Sequence, residues 1–326
     1  SSDGTLLRML KYFYVAKNGY VTKSNLYKKL KTYGTNIGPS KLVKEVDDFS
    51  RFYSAIRTAD KVGIKNYFDS IECSAIANDQ SKNEEIYLAL EGLRLFKIVQ
   101  IYPLIYAAIS CFVRDGGGDD SKLSKKLIQM FDVMEKYHFI NTAICERMGN
   151  EVEKLYADFC VRYADKNKKF EDTTNYLINT FKERLATENE FTSRFVELAY
   201  LSETIPLISY IFDRINNIGR RPGQRLPIFN PDQKITRRNH NIEHFYPQNP
   251  EGDMKPDSDM IPDVVDNIGN LLVISFRTNS KLGNLSPEKK MEKLKGPSAK
   301  EIENLLYIQE FVKEYNDSVS SWGKET

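Results

Sequence analysis

Apolar residues recur every three or four positions through most of the first 218 residues, the spacing that gathers them on one face of a helix. Leu6, Leu7, Leu10 and Tyr14 form one such strip. Leu42, Val43, Val46, Phe49, Phe52, Tyr53 and Ile56 form a second, and Ile86, Leu88, Leu90, Leu93, Phe96 and Val99 a third. The same spacing predicts helices over 103–113, 122–137, 143–163, 173–185, 191–200 and 206–218, the last stopped by Gly219. Turn-forming residues at 34–39, 78–83 and 115–120 separate them.

The pattern changes after Gly219. Arg221-Pro222-Gly223-Gln224-Arg225-Leu226-Pro227 is incompatible with regular helix. A short β-prone run at 242–246 is closed by Pro247, and a polar loop then extends to Pro262. A second short strand is expected at 271–276. Ser286-Pro287-Glu288 is a helix start, with serine as N-cap and proline in the first position. A last helix is expected over 298–319. The predicted fold class is therefore mainly α. A multi-helix domain (1–220) precedes a strand–loop–strand–helix module with a C-terminal helix (221–326).

Composition narrows the class. The chain has 326 residues, 41% hydrophobic and 12% aromatic, enough for packed cores and unlike a disordered protein. No apolar run has the length of a membrane span, and the start carries no secretory signal. Cys73, Cys111, Cys145 and Cys160 form no CxxC pair and read as reduced core thiols of a cytoplasmic protein. The start at Ser1-Ser2-Asp3-Gly4, without methionine, reads as a piece cut from a longer protein. Formal charge is only +2, but the stretch from Arg214 to Arg238 holds seven Lys or Arg against one acid, Asp232. Such a stretch suits a phosphate backbone, or is a solvated linker. The glycines at 116–118 lack the Lys-Ser/Thr of a phosphate-binding loop and read as a flexible turn. His138 reads as a packed residue.

The candidate chemistry lies in Arg237-Arg238-Asn239-His240-Asn241-Ile242-Glu243-His244-Phe245-Tyr246-Pro247-Gln248. One reading is an H-x-x-E-H zinc protease motif, which requires a helix so that His240 and His244 share a face. Asn239, Asn241 and the β-prone run before Pro247 argue against a helix. The other reading pairs Glu243, as metal ligand, with His244, as general base. Phosphodiester hydrolysis needs a water deprotonated near neutral pH and a hard cation on the phosphate oxygens. Successive strand residues face opposite ways, so the strand must end or twist here for both side chains to serve one site. Arg237, Arg238 and Arg277 are expected to contact phosphates, since the guanidinium fork matches phosphate oxygens.

Glu243-His244-Phe245-Tyr246-Pro247-Gln248, then Asp266-Asn267-Ile268-Gly269-Asn270-Leu271, then Asn279-Ser280-Lys281 resembles an HNH (His-Me finger, ββα-metal) nuclease. More closely, residues 235–293 resemble the C-terminal nuclease region of GmrSD-type, modification-dependent (type IV) restriction proteins, a group that includes effectors sensing phosphorothioated DNA. The resemblance implies Mg²⁺- or Mn²⁺-dependent nicking of double-stranded DNA in defence against foreign or modified DNA. It implies His244 as base, Asn270 as the residue bracing the loop and orienting the base, Glu243 and Asn279 as metal ligands, and Lys281 as a phosphate contact. His240 has no counterpart. The loop from His244 to Asn270 is longer than in minimal HNH domains, and its Asp253, Asp257, Asp259 and Asp263 complicate the ligand assignment. The family's nucleotide-hydrolysing N-terminal domain, with its Asp-Gly-Gln-x-Arg motif, is not in this sequence and is expected in a missing N-terminal part; Pro222-Gly223-Gln224-Arg225 lacks the aspartate. The alternative from another class is a non-catalytic DNA-binding or assembly module with a decayed site.

Overall fold

Aspartates set several helix starts. Asp60 Oδ1 accepts from Gly63 N (2.7 Å), Asp79 Oδ1 from Lys82 N (3.1 Å) and Asp120 Oδ1 from Leu123 N (3.0 Å), each satisfying an amide the helix cannot. The computed structural model describes residues 2–58, 60–147, 150–220, 224–226, 228, 240–250, 262–296, 305–319 and 322. They fall into two compact units, Ser1–Thr187 and Glu188–Thr326.

The first unit is helical: α1 (Ser2–Asn18), α2 (Lys23–Ile37), α3 (Pro39–Thr58), α4 (Lys61–Ser70), α5 (Ser74–Ala77), α6 (Gln80–Leu95), α7 (Tyr102–Arg114), α8 (Ser121–His138), α9 (Asn150–Ala164) and α10 (Phe170–Glu183). Helix α7 is buried almost all round, from Tyr102 through Phe112, and forms the middle of the core. Phe49 and Phe52 of α3 meet the Tyr106 ring edge-on at 4.9 and 5.2 Å. A π-helical turn, Phe139–Ile144, follows α8, and Asn141 in it binds Arg184 O and Ala186 N, both at 2.8 Å. His138 is buried between Tyr156 and Thr142, and burial pushes its pKa down to about 3, so it is a neutral core residue. All four cysteines are buried, and among the described residues none is in a disulfide.

The second unit contains α11 (Glu188–Phe195), α12 (Ile205–Asn217), β1 (His240–His244), α13 (Pro262–Val265), β2 (Leu271–Ser275), α14 (Phe276–Leu282), α15 (Pro287–Lys295) and α16 (Leu306–Tyr315). The strands pair antiparallel, His240 with Ser275 through His244 with Leu271. The mainly α class with a small ββα module is therefore what the chain adopts.

Several boundaries differ from the periodicity. The helix expected over 143–163 begins at Asn150, after the π-helical turn; α2 continues through Gly34 to Ile37; and α14 was not expected. Three further differences have a visible cause in the packing. The units divide at 187/188, ahead of the composition change at Gly219, because α12 packs on β2 and α16. The helix expected over 191–200 ends at Phe195, since the next residues are drawn into extended pairing: Ile268 N donates to Leu198 O (2.8 Å) and Tyr200 N to Asp266 O (2.7 Å). Of the helix expected over 298–319, Leu306–Tyr315 is helical, and 298–304 lie outside the described residues. Gly219, with φ of 73°, ends α12 as expected. Among the described residues no helix is long and apolar enough to cross a membrane.

Candidate active site

Strand β2 is an apolar run, Leu271 to Ile274 all buried, and it stops at Ser275. The Ser275 hydroxyl accepts from Thr278 N (3.1 Å), an N-cap that starts α14 directly from the strand. Strand, return strand and helix thus follow with no spare residue between β2 and α14.

Asn270 closes the hairpin. It is buried, in a 3-10 turn just before β2. Its Oδ1 accepts from Tyr246 N (2.8 Å) and Trp322 Nε1 (3.1 Å), and its Nδ2 donates to Tyr246 O (3.0 Å) and Val265 O (2.7 Å). Phe245 N donates to Asn270 O at 2.8 Å. The segment just beyond β1 is therefore stapled to the residue that begins β2. Phe245, with no exposed surface, anchors it further against Phe311 (5.0 Å) and Trp322 (4.7 Å).

His244 ends β1 with its ring largely buried. Its Nε2 lies 3.0 Å from Asp266 Oδ1, which also accepts from Gln248 Nε2 at 2.7 Å. The Tyr200 ring stands edge-on to the imidazole at 4.8 Å and 81°. With Nε2–H given to the carboxylate, Nδ1 carries the lone pair, and among the described residues nothing is hydrogen-bonded to it. Burial pushes the His244 pKa below its usual value, with Asp266 opposing. The ring is thus neutral near pH 7.

Glu243 points elsewhere. Its Oε1 is 2.5 Å from Lys290 Nζ, and the same ammonium donates to the His244 carbonyl at 2.6 Å. Lys290 is 1% and Glu243 6% exposed. Burial raises the Glu243 pKa and lowers that of Lys290, each against the pull of its partner. Neighbouring residues on a strand thus meet different partners, Lys290 from α15 and Asp266 from the loop before β2.

Asn279 lies one turn into α14, which packs on β1. Its Oδ1 is buried and has no hydrogen-bond partner among the described residues. Among the described residues, no hydrogen bond joins it to Glu243 or His244. An orphaned carbonyl oxygen is a hard donor of the kind Mg²⁺ and Mn²⁺ take, and Glu243 has a second carboxylate oxygen beside the one held by Lys290. By donor type the two oxygens suit such a cation, and among the described residues no hydrogen bond or ion pair joins them. Among the described residues no three His, Cys, Asp or Glu side chains gather as a metal site.

Arg277 and Lys281 are on the exposed side of α14, while Arg237 and Arg238 lie outside the described residues, as do Asp253, Asp257 and Asp259. His240 sits in strand β1 opposite Ser275, so the helix demanded by the H-x-x-E-H reading does not exist and that reading falls. The basic stretch is partly internal. Arg214 and Arg225 reach the buried Asp213 at 3.5 and 3.6 Å, and Asp213 Oδ1 also accepts from Ile228 N (2.8 Å).

Two residues of the site were not singled out from the sequence. Asp266 stood in the quoted motif, four places before Asn270. Lys290 shares a helical stripe with the buried Pro287, Met291 and Leu294, and a lysine at a core position was the available signal.

Residues 185–326 match the family model of the GmrSD restriction endonucleases, C-terminal domain, which is less than half of the chain. No curated protein and no solved structure matches the chain.

Proposed function

We propose that the β1–β2–α14 module is the active site of a divalent-cation-dependent DNA endonuclease, which nicks because one such site cuts one strand. The observation that carries this reading is the held histidine. His244 ends a strand stapled by Asn270, with one ring nitrogen bound to a carboxylate and the other without a partner among the described residues, and β2 passes straight into the helix bearing the Asn279 oxygen, likewise unpartnered there.

His244 Nδ1 takes a proton from a water as the water oxygen attacks phosphorus; the opposite P–O ester bond breaks with its electron pair on the leaving oxygen, which takes a proton from solvent, and His244 returns its own to solvent. Asp266 holds the ring in the tautomer that leaves Nδ1 unprotonated and steadies the imidazolium once formed. Asn270 acts through the backbone, fixing where β1 ends. Asn279 and the free Glu243 oxygen are the residues that would hold Mg²⁺ or Mn²⁺, which when bound neutralises charge on the phosphate oxygens. Exposed Arg277 and Lys281 contact the backbone, together with Arg237 and Arg238. The setting is restriction of foreign or modified DNA in the cytoplasm, alongside a nucleotide-hydrolysing domain.

Supercoiled plasmid should relax to the nicked form with Mg²⁺ or Mn²⁺ and remain supercoiled in excess chelator. Relaxation indifferent to chelator, or none with either metal, would sink the proposal. The ion pair of Glu243 with Lys290 favours a second reading, a DNA-binding module whose site has decayed. Retained duplex binding with no metal uptake and no nicking would select it.

Asp266 provides a finer test. Asp266→Ala should lower kcat by roughly 10–100-fold with little change in KM, because a ring free to turn loses its near-attack geometry. Asp266→Asn keeps an acceptor oxygen and should recover part of that loss. Equal rates in wild type and both variants would remove Asp266 from the mechanism.

A further inference from the structure

The longest one-signed stretch of the chain lies in the first unit, not beside the histidines. Residues 4–44 contain nine Lys or Arg and no Asp or Glu. The whole chain is +2, so the other residues together are net −7. Two of the nine are neutralised in the fold, Lys11 by Glu153 (2.5 Å) and Lys17 by Glu45 (3.8 Å). Lys23, Lys28, Lys29, Lys31, Lys41 and Lys44 are exposed, and among the described residues no carboxylate pairs with any of them.

This is unlike the other exposed helices here. Arg51 pairs with Asp47 and Lys136 with Asp132, each at i,i+4, as solvated helices usually arrange their charges. Helix α2 has no acid at all, so its lysines only repel one another. Tyr27, Lys28 and Lys31 are neighbours at i,i+3 and i,i+4 on one side of α2, and Tyr27 is 78% exposed. Lys41 and Lys44 are i,i+3 neighbours at the start of α3. Only Gly38 separates the two helices, and they cross closely: a Cβ on Gly34 would meet the Leu42 side chain at 2.7 Å. Leu42 lies between Lys41 and Lys44, and Gly34 lies one turn from Lys31. The crossing therefore sets the end of α2 that carries Lys31 against the start of α3 that carries Lys41 and Lys44. At the other end of α2, Lys23 lines a cavity of about 440 Å³ with Arg8 and the Lys11–Glu153 pair.

We propose that this face, α2 with the first turns of α3, is a docking surface for the phosphate backbone of double-stranded DNA. Lysine is a point charge on a flexible stem, suited to phosphates without reading bases, and an exposed tyrosine hydroxyl is a further phosphate donor. The surface follows from charge and exposure alone; only the choice of DNA among polyanions rests on the nuclease reading of the second unit.

The experiment measures binding of the whole chain to a blunt duplex of about 30 bp, in chelator, across roughly 50–200 mM KCl. Lys28→Ala/Lys31→Ala/Lys41→Ala/Lys44→Ala should keep the wild-type melting temperature, since every altered side chain is exposed. Its log K against log salt slope should be shallower by about 0.9 for each phosphate no longer neutralised, and its low-salt affinity more than about tenfold weaker. Wild-type affinity and slope in the variant would overturn the proposal, as would failure of the wild type to bind duplex. Binding to phosphatidylserine vesicles that the variant loses, with duplex binding unchanged, would assign the face to membranes and overturn it as well. The nuclease reading is judged separately by plasmid nicking in wild type and His244→Ala, so either can fail alone.

Discussion

Replacing His244 by alanine is expected to reduce plasmid nicking by roughly 10²–10⁴-fold, the usual contribution of a positioned general base. The expectation follows from the state of the ring. Asp266 occupies Nε2, no described residue occupies Nδ1, and burial keeps the imidazole neutral near pH 7. The loss should appear in kcat rather than in duplex affinity, because the imidazole acts on the water and not on the DNA. His244 is also packed against Tyr200 and bound to Asp266, so the variant's melting curve and its low-salt duplex binding need to be measured beside its rate. A folded His244→Ala protein that binds DNA and nicks at the wild-type rate would end the mechanism.

The second large effect is on stability. Lys290→Met is expected to destabilise the second unit by about 3–5 kcal/mol, the range for breaking a buried ion pair from one side. Methionine fills similar volume, so the loss comes from leaving the buried Glu243 carboxylate and the His244 carbonyl without their donor. The double variant Glu243→Gln/Lys290→Met removes the stranded charge and should recover a substantial part of the loss. Denaturant unfolding monitored through Trp322, the sole tryptophan and a neighbour of Asn270, reads this directly. A single variant within about 1 kcal/mol of wild type would mean that the pair contributes no more than an exposed one. If Lys290→Met survives at low temperature, its metal affinity is informative too, since Glu243 then has both oxygens free.

Much of the fold was legible in the chain because the signals are local. The helices of the first unit follow the three- and four-residue spacing of Phe49, Phe52 and Ile56, or of Ile86, Leu90 and Leu93, and their starts follow capping residues such as Asp60 and Asp120. The break at Gly219 and the start at Ser286-Pro287 are likewise chemistry of single positions. The helix expected over 191–200 shows where this ends. Its spacing is helical throughout, but its last residues satisfy their backbone by pairing with 266–268, which no local rule anticipates.

The candidate site divides in the same way. Sequence by itself determined that a short strand over 242–246 carries Glu243-His244, that a second strand starts near Leu271 after the turn at Asn270, and that a helix starts at Ser286-Pro287; the helix α14 that bears Asn279 was not among its expectations. Alternation, turn chemistry and capping act within a few residues. Only the tertiary structure decided what those side chains meet. Asp266 is 22 residues from His244, Lys290 is 47 from Glu243, and Trp322 is 52 from Asn270. Adjacent residues of a pleated strand face opposite ways, so Glu243 and His244, inseparable in the chain, were sent to different partners. Which partners depended on how α15 and the loop before β2 packed against the hairpin, and packing between distant segments is not written in any local pattern.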